Sequence, residues 1–219
     1  MKKKIVIIIS ISLIILIAAA LLIAGNSYRA GSRKVHDGEN TLIFSINVSD
    51  GKAESTPFVK CYGHAWISLD NQSGHSIYLM DKEIQDNEVL TFSTWAISSH
   101  MGVTFNLEPS FINQFARYPE RKSVSIKIDE SKLSEIEKFI NENDRWTLFR
   151  NCTYFSVKLW NLIAGDENEI ILRSPVYSPG TLAKAIDEFD TVRDGDAYLR
   201  SGDSYFYVDG KRTVLSLCE

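Results

Sequence analysis

The alternation of apolar and polar residues changes period along the chain, and the changes divide it into elements. In "TLIFSINV" (41–48), Phe44, Ile46 and Val48 point one way and Ser45 and Asn47 the other, the period-two pattern of a half-buried strand. "GHAWISL" (63–69) and "HSIYLM" (75–80) flank the turn-rich "DNQSG", which predicts a hairpin. "EVLTFSTW" (88–95) and "SVSIKI" (123–128) are further predicted strands. Between them "SSHMGVTFNLEPSFINQFARYPER" has no clean period and reads as a long structured connection. Beyond residue 129 the period becomes helical. Leu133, Ile136, Phe139 and Ile140 form a stripe within 129–144, with Ser131 available as an N-cap. A second stripe, Phe155, Leu159, Leu162 and Ile163, follows Cys152 and stops at Gly165. A third, Leu182, Ile186 and Phe189, lies in 178–189 behind Ser178 and Pro179, a good cap and first helical residue. "SYFYVDGKRTVLSL" predicts a last hairpin around Asp209-Gly210. The order of strands, then helices, then a hairpin predicts an α+β domain, an antiparallel sheet packed against helices.

The first residues follow neither period. After "MKKK", Ile5 to Ala24 run twenty residues without a charge, matching the ~20 residues that cross a hydrocarbon core. A cleaved signal peptide is the competing reading, with Ala18-Ala19-Ala20 as a small-residue cut site. An uncleaved single-pass anchor over 1–24 is the expectation. Lys2, Lys3 and Lys4 nearly balance Arg29, Arg33 and Lys34 across the span. Either targeting reading nevertheless places the remainder on the extracytoplasmic side of the cell membrane, or secretes it if the signal is cleaved. Residues 25–40 are polar and aperiodic and read as a linker, so the folded domain is expected over 41–219. With 44% apolar and 24% charged residues the chain can build one core. A net charge of −4 without an extended basic stretch gives no reason to expect nucleic acid as a partner.

Three cysteines occur, Cys61, Cys152 and Cys218. An odd count outside the cytoplasm suggests one pair plus a free thiol, or three thiols. Cys61 with Cys218 would leave Cys152 free. Cys152 sits in "RNCTYFSVKLWN" (150–161), where Asn151 is a favoured cap and the apolar stripe begins just afterwards. Free N–H groups and the helix dipole stabilise negative charge there, which favours thiolate and can hold a developing oxyanion. A small buried apolar residue is the alternative for Cys152. A thiolate nucleophile needs a base, and the histidines are His36, His64, His75 and His100. His36 falls in the linker. His64 opens a strand and shares a face with Trp66 and Ser68.

Gly63-His64-Ala65-Trp66-Ile67 on a strand, followed by Asn151-Cys152-Thr153-Tyr154-Phe155 on a helix, resembles the circularly permuted papain-like superfamily. That group includes relatives of the NlpC-type cell-wall amidases and of lecithin:retinol acyltransferase. The resemblance covers roughly residues 41–190. It implies Cys152 as nucleophile and His64 as general base and then acid, with Tyr62 able to lend a second oxyanion hydrogen bond. For the residue that orients His64, a hairpin centred on Gln72-Ser73 would set His64 opposite Asp81. Asp81 is therefore the first expectation, His100 in the long connection the second, and His75, near the turn, the last. No His/Cys spacing suits zinc and there is no glycine-rich phosphate loop or GxSxG, so neither metal nor cofactor is expected.

The function so implied is a membrane-anchored, extracytoplasmic thiol hydrolase that cleaves amide bonds in peptides or cell-wall peptides. Acyl transfer from lipid to an amine or thiol at the same Cys-His site is the first alternative, so the substrate is expected to be a peptide, cell-wall or lipid-linked molecule. A non-enzymatic binding domain with a vestigial dyad is the second.

Overall fold

The computed structural model describes residues 27–30, 42–55, 61–174, 176–189, 193–194 and 202–215. The apolar run 5–24, His36 and Cys218 lie outside the described residues, as does any pairing of Cys218 with Cys61. Among the described residues no helix is long and apolar enough to cross a membrane.

The domain is α+β. In chain order the strands are β1 (Ser27–Ala30), β2 (Leu42–Ser49), β3 (His64–Asn71), β4 (Ile77–Leu79), β5 (Lys82–Ile84), β6 (Val89–Ile97), β7 (His100–Phe105), β8 (Lys122–Ile128), β9 (Ile170–Arg173), β10 (Arg193–Asp194), β11 (Tyr205–Val208) and β12 (Lys211–Val214). The helices among the described residues are α1 (Leu107–Phe115), α2 (Leu133–Glu142), α3 (Cys152–Ala164) and α4 (Pro179–Ile186). Eight strands form one antiparallel sheet in the order β10-β8-β2-β3-β6-β7-β11-β12, while β1-β9 and β4-β5 are separate two-stranded ribbons.

The period-two segments became the middle of the sheet for the reason their pattern gave. Phe44, Ile46 and Val48 of β2 and Ala65, Ile67 and Leu69 of β3 are buried and belong to the core cluster that includes α3. Phe44 stacks on Trp160 of α3 at 6.1 Å, and Phe155 of α3 meets Phe92 edge-on at 6.4 Å and Phe139 of α2 at 5.4 Å. Each fully buried side chain of this size contributes ~1.5–3 kcal/mol. The opposite, polar positions of the same strands are also buried: Asn47 donates to Ser68 at 3.0 Å, and Ser45 bonds Ser125 at 2.8 Å. Short polar side chains that bond one another let that face be covered without unpaired groups.

Four local expectations change. The predicted hairpin over 63–80 does not form: β3 lies between β2 and β6, and 77–79 pairs with 82–84 instead. The aperiodic connection contains β7, paired along the end of β6, and then α1. The residue that caps the first helical segment is Asp129 rather than Ser131; its side chain accepts Ser131 N–H at 3.0 Å ahead of a 3-10 turn leading into α2. Within the expected linker, Ser27–Ala30 pairs antiparallel with β9. The last hairpin forms as expected, with Asp209 and Gly210 both at positive φ, 49° and 72°, the conformation a two-residue turn between right-twisted strands requires.

Candidate active site

His64 begins β3 because its predecessor can take a backbone path closed to other residues. Gly63 has φ +69°, and a Cβ there would lie 2.1 Å from the Ser49 carbonyl oxygen. Gly51 faces it across the same crossing, where a Cβ would lie 2.4 Å from Gly63 N. Two glycines thus bring the 49–51 and 61–63 backbones into close approach, and His64 enters the sheet opposite Ser49.

The imidazole is 3% exposed and sits among aromatic rings: Trp95 at 4.0 Å, Trp66 at 5.8 Å and Tyr118 at 5.8 Å. Its Nε2 lies 3.0 Å from Oε1 of Glu108. Glu108, in the first turn of α1, has no exposed surface. Its Oε1 also accepts Trp95 Nε1–H at 3.0 Å, and its Oε2 accepts the Thr91 hydroxyl at 2.7 Å. Asn106 sets this position by exchanging two hydrogen bonds with Thr91: its N–H donates to Thr91 O at 2.9 Å, and its Oδ1 accepts Thr91 N–H at 3.2 Å. A buried carboxylate that accepts three hydrogen bonds at a helix N-terminus is a satisfied charge.

Cys152 approaches from the other side. Asn151 caps α3, accepting Tyr154 N–H at 3.1 Å through its side chain, while its Nδ2 donates to Leu148 O at 3.2 Å and Tyr177 O at 2.7 Å. One amide therefore fixes the helix start and both chain segments around it. Cys152 is the first residue of the helix, its thiol is free, and its charge is coupled to that of His64. With Nε2 committed to Glu108, Nδ1 is left for the sulfur. Desolvation opposes charge on both partners. For His64, the Cys152 thiolate and the Glu108 carboxylate outweigh it and raise the pKa from 6.5 to about 9. For Cys152, the charged His64 ring and the Ala65 backbone N–H outweigh it and hold the thiol below its ordinary value. The two groups stabilise each other as thiolate and imidazolium.

Tyr118 closes the site. It is 4% exposed, has φ +58°, and packs on Trp66 at 5.6 Å. Burial and the nearby Glu108 carboxylate push its phenol upward, so it stays a protonated donor. Its N–H donates to Glu54 Oε1 at 3.0 Å, and the same oxygen lies 2.6 Å from Arg117 Nε, which pins this turn to the 51–55 loop.

The histidine-orienting residue differs from each expectation. Asp81 lies between β4 and β5 and accepts a hydrogen bond from Tyr207; since β3 and 75–80 are not a hairpin, it is not opposite His64. His100 opens β7, where Nε2 lies 3.2 Å from Asp144 Oδ1 and the ring stacks on Phe206 at 4.5 Å. His75 lies 2.8 Å from Glu130. Glu108 occupies the position, and sequence reasoning missed it. The one signal was an acidic residue in "NLEPSF", ahead of a proline that marks a helix's first turn. Tyr62 is 83% exposed, its ring in solvent, so it is not placed as the second oxyanion donor, whereas Tyr118 is buried against His64. A polar cleft bordered by Lys82, Glu88, Tyr205 and Arg212 meets this set only at Asn106. Among the described residues no group of three or more His, Cys, Asp or Glu side chains is placed to hold a metal ion. No family model, curated protein or solved structure matches the chain.

Proposed function

We propose that this chain is a thiol hydrolase that cleaves amide bonds, built on a permuted papain-like domain and tethered to the membrane by residues 5–24. The observation that carries the reading is the electrostatic pairing of Cys152 with His64, whose ring is held by the buried Glu108. The sulfur attacks the amide carbonyl carbon and the C=O electrons move to oxygen. The N–H of Cys152, unpartnered by helix geometry, and the Tyr118 phenol are the candidate donors to that oxyanion. The tetrahedral adduct collapses to a thioester as the C–N bond breaks, and His64 gives its proton to the departing amine. Neutral His64 then takes a proton from water, whose oxygen attacks the thioester. The acid leaves and the thiolate–imidazolium pair is restored. Glu108 holds Nε2 throughout and keeps Nδ1 aimed at the sulfur.

The strand-then-helix order of His64 and Cys152 supports the permuted papain-like assignment. A vestigial dyad predicts a thiol and imidazole apart, and the coupling of their charges weighs against that alternative. Iodoacetamide at neutral pH tests the proposal, with Cys61 as internal reference. Cys152 is expected to react far faster than Cys61, and Cys152→Ala is expected to abolish amidase activity. Reaction no faster than the thiol of the unfolded chain would sink it. Acyl transfer at the same site is favoured by one observation, the exposed Leu148 and Phe149 just before the nucleophile. Labelled phospholipid that leaves a thioester on Cys152 which an amine, but not water, discharges would establish transfer in place of hydrolysis.

A further inference from the structure

Two features bear on how the end of the domain that carries Cys152 meets its surroundings. The first is the loop between α2 and α3, "RWTLFR" (145–150). It ends in a turn closed by paired backbone hydrogen bonds of 3.1 Å between Thr147 and Arg150, with Leu148 and Phe149 at the two central positions. Those side chains are 61% and 60% exposed. Met101, whose carbonyl accepts Trp146 N–H at 2.9 Å, adds a third exposed apolar side chain at 56%. Arg145 and Arg150 flank the group and are also exposed. Aromatic and aliphatic side chains at a tip, with cations at its shoulders, are the composition of an interfacial anchor: apolar groups enter the acyl boundary while guanidinium groups meet lipid phosphates. The turn is held in place, since Leu148 O accepts Asn151 Nδ2–H.

The second feature is the register of β1. Ser27 lies opposite Arg173 and Ala30 opposite Ile170. From Arg173 the chain reaches Tyr177 in four residues, and Tyr177 O accepts Asn151 Nδ2–H at 2.7 Å. Ile170, at the other end of the ribbon, is tied to Asn161 further along α3, so the end at which the chain enters β1 is the one nearer the start of that helix. The apolar run stops at Ala24, so the path from Ala24 to Ser27 spans at most about 11 Å.

We propose that the end of the domain carrying Cys152 rests on the phospholipid surface, with Leu148 and Phe149 inserted in the interface. The inference rests on the reading of 5–24 as a membrane anchor and deepens the proposed function. A site that opens on the bilayer takes its amide substrate from molecules anchored in or lying along that bilayer rather than from free peptides in bulk solution.

Tryptophan quenching by lipids brominated near the headgroup tests this in the full chain reconstituted into phospholipid vesicles. The Cys152→Ala form is used, so that catalysis plays no part. Trp66 and Trp160 are fully buried, and Trp146 is the indole of the loop. Quenching is expected to fall at least twofold in Trp146→Phe and in the Leu148→Ser/Phe149→Ser double variant. Equal quenching in all three chains, or none in any, overturns the proposal, as does release of the chain from vesicles by an alkaline wash. Selective alkylation of wild-type Cys152 with no Trp146 quenching would remove the docked face and leave the thiol hydrolase standing. Quenching without selective alkylation would do the reverse.

Discussion

With Nε2 of His64 committed to Glu108, the imidazole has one nitrogen left for chemistry and a charge that two anions share. The pH consequences have opposite signs. The His64 pKa is raised from 6.5 to about 9, so the charged ring contributes stability that is complete below about pH 6.5 and lost as pH rises through 9. The Cys152 thiol is lowered, so the thiolate contributes above its ordinary titration and is lost as pH falls through its lowered value. Glu108→Gln keeps the shape and removes the charge. Urea denaturation between pH 7 and 10 is expected to show wild type losing stability toward pH 9 and Glu108→Gln losing less; parallel profiles would separate the carboxylate from the imidazole. Alkylation of Cys152 at pH 7 is expected to slow roughly tenfold in the same variant, the effect of weakening one charge-assisted hydrogen bond by ~1.5 kcal/mol. Cys152 and His64 were readable because each sits at an element start with a local signature. Glu108 was not, because its partners Thr91, Trp95 and His64 come from two other strands and a glutamate in a first helical turn ordinarily faces water.

At the level of elements, the site depends on how one strand and one helix begin. Gly63→Ala forces a Cβ against the Ser49 carbonyl in a left-handed backbone. Left-handed strain alone costs ~1–2 kcal/mol, and calorimetry is expected to show a loss at least that large, with Cys152 alkylation slowed because His64 shifts. Asn151→Ala removes the cap, worth ~1 kcal/mol, along with the ties to Leu148 and Tyr177. Asn151→Asp keeps the acceptor for Tyr154 N–H and loses the donors. Urea titration is expected to place Asn151→Asp between wild type and Asn151→Ala; an aspartate as stable as wild type would make the two donor bonds dispensable. The strong periods of 41–48, 63–69, 88–95 and 129–163 marked real elements because each buries one face against the others. The hairpin of 63–80 failed because "DNQSG" signals a turn without saying which strand comes back. β3 found better neighbours in β2 and β6, with eight paired positions along β2. β7 and α1 stayed hidden because their segment has no clean apolar period and α1 begins at a left-handed Asn106 with no side-chain cap of its own.

For the whole molecule, the legible part was the class and the illegible part the order of strands. An α+β domain follows from the sequence of periods, but a sheet order that places β8 beside β2 and β11 beside β7 is decided by contacts distant in the chain. The ribbon of β1 and β9 extends the domain into residues that read as linker. A chain beginning at Asn26 is expected to melt several degrees above one beginning at Gly31, since the shorter one leaves β9 without ladder partners, a loss of ~1–2 kcal/mol. Equal melting midpoints by calorimetry would mean that the ribbon adds nothing to the fold.

The imidazole and the sulfur stand eighty-eight positions apart, the imidazole first. At about 5–20 residues per second of synthesis, His64 leaves the ribosome roughly 4–18 seconds before Cys152. Glu108, the carboxylate partner of the imidazole, also appears before Cys152 does. The sulfur is thus the last of the three to be made, and a half-built chain holds no assembled thiol–imidazole pair.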